Sequence, residues 1–369
     1  MPNTSPNEAE AFQTNVREGA RNLLENCAGV EPGQHVLIVR EPEAIHYYDQ
    51  SVPNIIEAQA ELMGARVHSL RTPPIDGPDD APESLKAAME HVDHTIFTSR
   101  IGDQMRFYPL PGSGTKTMCY ALDARMLAGA ACRVPYGLSL QTLSFVQEKL
   151  NKATQWRVTC PLGTDVSGVS DPVTYAADPN AGFTVRLFPL GPFRTFSCSE
   201  SSGRLVTRWL PGSATHRYEP YGLLLDGAVA LVMSNGRIVN FEGPAKIVER
   251  VREHYEHVAS CFGIDPYIVH SWHGGTNPKI FYPDSADADI ERWNGVMHSH
   301  TRYTHFHTCG AYNPGEIVVG LIDASIFIDG QRYWDNGRLS LLDQDEAQAL
   351  LSGHPNQEDA FKMEMEIGV

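Results

Sequence analysis

The chain contains 369 residues, of which 42% are hydrophobic, and its formal charge at pH 7 is −16. This length exceeds that of one ordinary hydrophobic core, so it predicts two domains or one large α/β unit. The excess of acidic residues argues against nucleic acid or an anionic membrane as partner, because both attract basic surfaces. No segment is apolar enough for a signal peptide or a bilayer span, so we expect a cytoplasmic protein.

The first part of the sequence alternates short apolar runs with helical patterns. Residues 1–15 are polar and are predicted to be frayed, and a helix is predicted through residues 20–27. Strands and helices are then predicted in turn at residues 31–39, 52–62, 66–70, 83–90 and 94–98. This order is typical of a parallel sheet with right-handed crossovers. A helix is predicted at residues 139–152, and the alternation of strands and helices ends near Thr154. We therefore predict a Rossmann-like α/β domain over residues 1–153.

From residue 156 onward, short β-type runs separated by turns replace this alternation. Asn235-Gly236 lies between two such runs and predicts a hairpin, as does Asp329-Gly330 further along the chain. One clear helix is predicted at residues 243–262. We therefore predict a β-rich α+β domain over residues 154–369. A pocket is expected between the two domains, with residues 100–106 as a candidate wall.

Histidines crowd one stretch of this second domain. Six of the fifteen in the chain lie there, namely His270, His273, His298, His300, His305 and His307. In an extended strand alternate side chains share a face, so the last four would form two pairs of imidazoles. Glu316 follows and could add a carboxylate. Two histidines and one carboxylate with open positions is the set that non-haem Fe(II) oxygenases use, and Zn or Mn hydrolases use similar sets. The alternative is that these histidines are ordinary surface or core residues.

Seven short motifs follow one another along nearly the whole chain. They are VEPGQHVLIV, VTCPLGTD, LFPLGPF, SNGRIVNFEG, HSWHGGTNP, THFHTCG and IFIDGQRYWDNGRL. Their order resembles that of the metallo-aminopeptidase T family and of its relative, the 2,5-dihydroxypyridine 5,6-dioxygenases. The resemblance implies an aminopeptidase T-like fold, in which the α/β domain is followed by a β-rich metal-binding domain. It also implies a homo-oligomer.

Two motifs depart from the peptidase pattern at metal-binding positions. In the peptidases, FPxGE supplies a glutamate ligand where this chain has Pro192. A second peptidase glutamate, from ELGxGTNP, corresponds to His270. The dioxygenases also lack the first glutamate and have a histidine ligand at the second position. The resemblance therefore implies that His270 is a metal ligand and that the chain is closer to the dioxygenases.

A third motif supplies the rest of the implied ligand set. Both families carry HxD in the strand before the IFIDG-like hairpin, and these positions correspond to Glu316 and Val318. The peptidases also carry a histidine in a segment similar to THFHTCG. The resemblance therefore implies that the metal is held by His270, Glu316 and either His305 or His307.

Together, the residues and the resemblance predict a non-haem Fe(II)-dependent dioxygenase that uses O2 to open the ring of a small hydroxylated aromatic or N-heterocyclic compound. The candidate catalytic residues are His298, His300, His307 and Tyr175. The candidate substrate-binding residues are Arg100, Asp103, Arg106, Leu187 and His273. The positions that contact dihydroxypyridine in the dioxygenases correspond to Asp103, Tyr175 and Leu187, which are different residue types throughout. The resemblance therefore implies that the substrate has changed.

Two other functions fit the same residues. One is a Zn- or Mn-dependent hydrolase, in which the metal ion activates water against an amide or a related bond. The other is a binding protein that has kept the fold and lost the metal, for which Val318 at a ligand position is the main argument.

Overall fold

The protein is built from two sheets, one parallel and one antiparallel, so the prediction of a mixed α/β fold is confirmed. The computed structural model describes residues 6–172, 183–212, 214–311, 314–353 and 360–369. Within these residues, no helix combines the length and the hydrophobicity that crossing a membrane requires.

Helices and strands alternate in the first part of the chain. Their bounds are α1 (Pro6–Arg21), β1 (His35–Arg40), α2 (Ser51–Leu62), β2 (Arg66–Arg71), α3 (Glu83–Glu90), β3 (His94–Thr98), α4 (Arg100–Gln104), β4 (Thr115–Cys119), α5 (Ala124–Ala128), α6 (Ala130–Arg133) and α7 (Tyr136–Leu150). The predicted strands and helices between residues 31 and 98 are confirmed, whereas β4 was not predicted.

The start of the chain differs from its prediction. Residues 6–15 belong to α1, so the expectation of a frayed segment is wrong for them. The helix is fixed by a close contact with α5: a Cβ added at Gly19 would lie 2.0 Å from the carbonyl oxygen of Leu127. Val16 and Ala20 are buried beside this contact. Packing at residues 16–20 thus anchors the second half of α1, and the exposed residues 6–14 extend the helix from this anchored part.

The parallel sheet has the strand order β2-β1-β3-β4-β7, where β7 is Arg186–Phe188. Its inner strands β1 and β3 are buried almost throughout, as expected when helices cover both faces of a sheet. β7 pairs with β4 although it follows the predicted domain boundary at residues 153 and 154. That boundary stays a prediction, and so does the Rossmann-like description of the first domain.

The rest of the chain is mainly antiparallel. The bounds of its other elements are β5 (Gln155–Thr159), β6 (Asp165–Val169), β8 (Phe196–Ser197), β9 (Ser202–Leu210), β10 (Leu223–Ser234), β11 (Arg237–Glu242), α8 (Ala245–Phe262), β12 (Val269–Gly274), α9 (Ile290–Met297), β13 (Tyr303–Thr308), β14 (Ile317–Ile322), β15 (Ser325–Ile328), β16 (Gln331–Trp334) and α10 (Asp345–Leu351). Both predicted hairpins and the helix predicted at residues 243–262 are confirmed.

The antiparallel sheet runs in the order β16-β15-β5-β6-β9-β14-β13-β12-β8, and β10 and β11 extend it from β9. Aromatic side chains cover the inner face of its middle strands. Trp272 of β12 packs on Trp156 and on Phe306 of β13, with ring centroids 5.1 and 5.8 Å apart. Because side chains alternate along a strand, this packing turns the neighbouring residues of β12 and β13 to the opposite face.

His298 and His300 are not in a strand, so the predicted pairing of their imidazoles on one strand face is wrong. α9 occupies residues 290–297, and His298 is its C-terminal cap. The helix begins where the side chain of Asp289 accepts a hydrogen bond from the backbone N–H of Arg292 at 3.0 Å. Trp293 and Met297, four residues apart, are both fully buried, and this helical spacing outweighs the strand-like alternation of the two histidines.

Candidate metal centre

Three neighbouring strands, β12, β13 and β14, carry the residues of the centre. The register of β12 and β13 sets His273 opposite His305 and Ser271 opposite His307. His305 and His307 point to the same face, and their ring centroids lie 4.9 Å apart. The residue between them, Phe306, points into the aromatic core on the other side.

A β-bulge brings His270 to the same place. His270 and His273 are three residues apart, so a regular strand would send their side chains to opposite faces. The pairing of β12 with β13 shifts its register between Val269 and Ser271, which inserts one residue at His270. As a result both imidazoles lie beside His307, at ring-centroid distances of 5.3 and 5.0 Å. The sequence pattern did not predict this bulge.

His270, His307 and Glu316 form a first group of donor atoms. Nδ1 of His307 lies 2.7 Å from Oε2 of Glu316, and Nε2 of His270 lies 3.3 Å from the same oxygen. Burial by itself would raise the pKa of Glu316, but the two imidazoles hold it well below its usual range. The hydroxyl of Tyr218 donates a hydrogen bond of 2.8 Å to the carbonyl oxygen of Glu316, which fixes the backbone just before β14.

His273, His305 and the same His307 form a second group. Nε2 of His273 lies 2.8 Å from Nε2 of His305. Nδ1 of His273 lies 2.8 Å from the carbonyl oxygen of Phe193 and donates its proton there, so Nε2 carries the lone pair. Burial lowers the pKa of both His273 and His305 well below the usual value, and neighbouring imidazoles lower it further. Both rings are therefore neutral, as metal ligands must be.

These donor atoms fit a divalent metal ion. Metal–nitrogen bonds of about 2.1 Å put neighbouring donor atoms about 3.0–3.4 Å apart. The donor separations above are 2.7, 2.8 and 3.3 Å, so only small side-chain shifts are needed to reach this spacing. In addition, Nε2 of His307 is buried and has no hydrogen-bond partner among the described residues. Buried polar atoms are rarely left in this state unless something else binds them.

The two groups line one wall of a cavity of about 440 Å³, which is large enough for a small aromatic compound. Another part of its wall comes from the segment after β3, where Arg100, Asp103 and Arg106 line the cavity, as predicted for residues 100–106. Five aromatic side chains lie around the cavity, those of Tyr47, Phe107, Phe183, Phe193 and Tyr221. Leu187 also lines it.

Arg100, a predicted substrate-binding residue, is held by two carboxylates of the protein. Its Nε donates to Glu41 at 2.9 Å and one of its terminal nitrogens donates to Glu291 at 2.7 Å. Glu291 also accepts a hydrogen bond of 2.6 Å from Arg217. Burial alone would lower the pKa of Arg100, but these carboxylates raise it above its usual value. The four residues, here called the ionic clamp, join the parallel sheet to α9 and to the segment before β10.

The sequence analysis missed three members of the clamp. One signal was present: Glu41 follows β1 directly and Arg100 follows β3 after one residue, and ligands and charged side chains gather at this edge of a parallel sheet. For Arg217 and Glu291 the sequence offers no comparable signal, because the residues they pair with lie far away along the chain.

Asp103, Arg106 and Tyr120 form a second polar cluster at the cavity. The carboxylate of Asp103 accepts a hydrogen bond from the hydroxyl of Tyr120 at 2.5 Å and one from Arg106. Burial, reinforced by Asp103, raises the pKa of Tyr120 well above its usual value. The ring of His298 lies with its edge toward Tyr120, at a centroid distance of 4.7 Å.

The candidate catalytic residues have separate locations. His298 lines the cavity, and its Nε2 has no hydrogen-bond partner among the described residues. Burial lowers its pKa to about 4, so its ring is neutral at pH 7. His300 does not line the cavity; its Nδ1 accepts a hydrogen bond of 2.9 Å from the backbone N–H of Arg302. Tyr175 lies outside the described residues.

Two solved structures share this fold. The chain is similar to 2,5-dihydroxypyridine dioxygenase from Pseudomonas putida KT2440, with 15% sequence identity and a TM-score of 0.59 over 92% of this chain and 99% of that one. It is also similar to AmpT, an aminopeptidase from Thermus thermophilus, with 12% identity and a TM-score of 0.51 over 89% of this chain and 99% of that one. No protein-family model and no curated protein matches the chain. The predicted resemblance is thus confirmed at the level of the fold.

Proposed function

We propose that the protein is a non-haem Fe(II)-dependent dioxygenase that opens the ring of a small hydroxylated aromatic or N-heterocyclic compound. The observation that carries this proposal is the meeting of His270, His307 and Glu316 at the wall of an aromatic-lined cavity. Two histidines and one carboxylate are the ligand set of Fe(II) oxygenases that keep positions open for substrate and O2. The likeness of the fold to a dihydroxypyridine dioxygenase supports the same reading.

The chain's own residues would hold the ion in a defined orientation. Bound there, Fe(II) would supply the electron transfer that couples a hydroxylated ring to O2. Glu316 contributes a negative charge, because its pKa lies well below neutral pH. Ser271 contacts Nδ1 of His270 at 2.9 Å, which leaves Nε2 to face Glu316. Such contacts behind the ligands fix their orientation and tautomer.

The cavity would hold the ring between its aromatic walls. His298 presents the neutral Nε2 of its imidazole to the cavity, where it would accept a hydrogen bond from a ring hydroxyl and so orient the substrate. Arg100 and Arg106 are already paired with carboxylates of the protein, and we propose that they shape the substrate's surroundings through those pairs. Leu187 would contact the face of the ring.

A metal-dependent hydrolase is the second candidate. The observation that favours it is the second group of donor atoms, beside the first, because hydrolases commonly use two neighbouring ions to clamp the attacking and leaving oxygens. The likeness of the fold to AmpT agrees with this function.

Metal analysis and oxygen uptake test the proposal. Protein purified without air should contain about one iron per chain, and it should consume O2 with at least one member of a panel of hydroxypyridines, catechols and aminophenols. His270→Ala should lose the iron, whereas His94→Gln, which changes a buried histidine outside the cavity, should keep it. Hydrolysis of an amide panel without O2 uptake would replace the proposal by the second candidate. A protein without metal, whose melting temperature a chelator leaves unchanged, would instead indicate a binding protein.

A further inference from the structure

Tyr47 is buried at the cavity, and its hydroxyl has no hydrogen-bond partner within the part of the chain that the structure describes. The residue is 8% exposed, and it lines the cavity together with Gly295 of α9. The neighbouring Tyr48 differs, because its hydroxyl donates to the carbonyl oxygen of Cys119 at 2.6 Å. Buried phenol hydroxyls usually find a partner, and for Tyr47 the cavity is the direction from which one can come.

The hydroxyl of Tyr47 lies against the backbone of α9. A Cβ added at Gly295 would lie 2.3 Å from its oxygen, so glycine at this position leaves the space that the hydroxyl occupies. The main chain of Tyr47 is fixed on the same helix, because its carbonyl oxygen accepts a hydrogen bond of 2.9 Å from Nε of Arg292. The ring is held by Arg100, whose guanidinium carbon lies 4.3 Å from its centroid. The hydroxyl therefore has a defined place in the cavity wall.

Tyr47 can act there as a hydrogen-bond donor. Burial, together with Glu291, raises the pKa of Tyr47 well above its usual value, so the hydroxyl is protonated at neutral pH. Arg100 acts in the opposite direction on this pKa, because its positive charge lies against the ring and draws electrons from the hydroxyl. Tyr47 thus offers a proton that stays on its oxygen while it is shared with an acceptor.

The charges of the ionic clamp, beside this hydroxyl, indicate which kind of acceptor fits. Arg100 and Arg217 bring two positive charges, which Glu41 and Glu291 balance. Glu219 adds a further negative charge, 3.6 Å from Arg217. The clamp therefore has no excess positive charge to neutralise a carboxylate of a ligand, and an uncompensated charge is costly where water is excluded. An uncharged carbonyl oxygen meets no such cost.

We propose that Tyr47 binds the substrate by donating a hydrogen bond to an uncharged carbonyl oxygen. This inference rests on the proposed function and deepens it, since it specifies a second polar substituent besides the ring hydroxyl at His298. Gly295 and His298 are three residues apart at the end of α9, about 4.5 Å along the helix axis, and both line the cavity. One small ring can therefore reach the Tyr47 hydroxyl with one substituent and Nε2 of His298 with another.

Binding of three phenols to the protein as purified tests this proposal without O2 and without turnover. 4-Hydroxyacetophenone carries a hydroxyl and an uncharged carbonyl group, 4-hydroxybenzoate has a carboxylate of similar shape in place of that carbonyl, and phenol has neither. Isothermal titration calorimetry without air should show that the wild type binds 4-hydroxyacetophenone about 10-fold more tightly than the other two. Tyr47→Phe should lose this advantage and bind phenol as the wild type does.

Tyr48→Phe is the matched control. The hydroxyl of Tyr48 donates within the protein and does not line the cavity, so this change should lower the melting temperature and leave the affinity for 4-hydroxyacetophenone unchanged. Tyr47→Phe should do the reverse, because it removes no hydrogen bond of the protein. Equal affinities of the wild type and Tyr47→Phe for 4-hydroxyacetophenone, or an equal loss for phenol, would overturn the proposal. So would tighter binding of 4-hydroxybenzoate by the wild type, or a wild type that binds none of the three phenols.

A second pair of variants locates the hydroxyl without any ligand. Gly295→Ala places a Cβ 2.3 Å from the oxygen of Tyr47 and should lower the melting temperature. In the Tyr47→Phe variant the nearest atom left is the ring carbon 3.6 Å away. There the same change should raise the melting temperature, since alanine favours a helix more than glycine does. An equal drop with and without Tyr47→Phe would place the hydroxyl elsewhere and overturn the proposal.

The binding test and the test of the proposed function fail separately. The expected affinities, found together with no iron and no O2 uptake, would refute the dioxygenase and leave Tyr47 as a ligand-binding residue. Conversely, iron and O2 uptake with affinities that Tyr47→Phe leaves unchanged would refute the role of Tyr47 and leave the dioxygenase standing.

Discussion

Replacing Glu41 by glutamine should destabilise the protein severely. The change removes one of the two carboxylates that neutralise the buried guanidinium of Arg100. The side chain of Glu41 is 1% exposed and that of Arg100 is 11% exposed. Glu41 accepts three hydrogen bonds from Arg100, at 2.7 Å from the backbone N–H and at 2.9 and 3.2 Å from the guanidinium. Removing one partner of a buried ion pair costs about 3–5 kcal/mol. We expect a loss in this range for Glu41→Gln.

An exposed pair of the same geometry provides the control. Arg157 donates to both oxygens of Asp165, at 2.7 and 2.6 Å, but the two side chains are 53% and 55% exposed. Water screens such pairs, so Asp165→Asn should cost no more than about 1 kcal/mol. The free energy of unfolding of both variants is measured by urea denaturation monitored by circular dichroism.

The comparison also decides the role of Arg100. A loss below about 1 kcal/mol for Glu41→Gln would refute the ionic clamp and return Arg100 to its predicted role, that of a substrate-binding side chain. If the clamp is correct, Arg100→Met should destabilise the protein by a similar amount, and combining it with Glu41→Gln should add little, because both changes break the same pair.

Three further outcomes are expected. Tyr218→Phe removes the hydrogen bond to the backbone of Glu316 and should weaken the affinity of the first metal site about 10- to 100-fold without changing the number of ions bound; unchanged affinity in chelator competition would contradict the role of Tyr218. His298→Asn should keep its metal but lower kcat for oxygen uptake about 100-fold, and an unchanged kcat would remove His298 from the reaction. The pKa of His254 and of His298 is lowered to about 4, and that of His300 to about 3, by burial. Since the unfolded chain binds these protons near pH 6.5 and the folded protein does not, stability should be fully present above pH 6.5 and fall toward pH 4, by at most about 1.4 kcal/mol per pH unit for each histidine. Urea denaturation between pH 4 and 7 measures this slope, and His254→Gln should reduce it.

The sequence predicted those parts of the molecule whose structure is decided locally. The strands and helices between residues 31 and 98 follow from apolar periodicity, and the hairpin at Asn235-Gly236 follows from its turn residues. At the centre, the common face of His305 and His307 follows from strand alternation. In contrast, the helical position of His298 depends on the burial of Trp293 and Met297 in the tertiary structure, which outweighs the alternation of nearby histidines.

The remaining features of the site depend on contacts between distant segments. The bulge at His270 is a property of the pairing of β12 with β13 and has no marker in either strand alone. The ionic clamp joins Glu41, Arg100, Arg217 and Glu291, which are brought together only where α9 and the segment before β10 meet the edge of the parallel sheet. Periodicity describes one element at a time, so it cannot identify pairs of this kind.

α9 connects the clamp to the cavity. Glu291 lies in its first turn and is held by Arg100 and Arg217, while His298 caps its other end and presents Nε2 to the cavity. Seven residues of helix span about 10 Å, and a helix of two turns transmits a shift at one end to the other with little deformation. The clamp should therefore position His298 relative to His270, His307 and Glu316 through α9, although Arg100, Arg217 and Glu291 also line the cavity. It follows that a clamp variant that still folds should show a lowered kcat, as His298→Asn does, and should retain its metal.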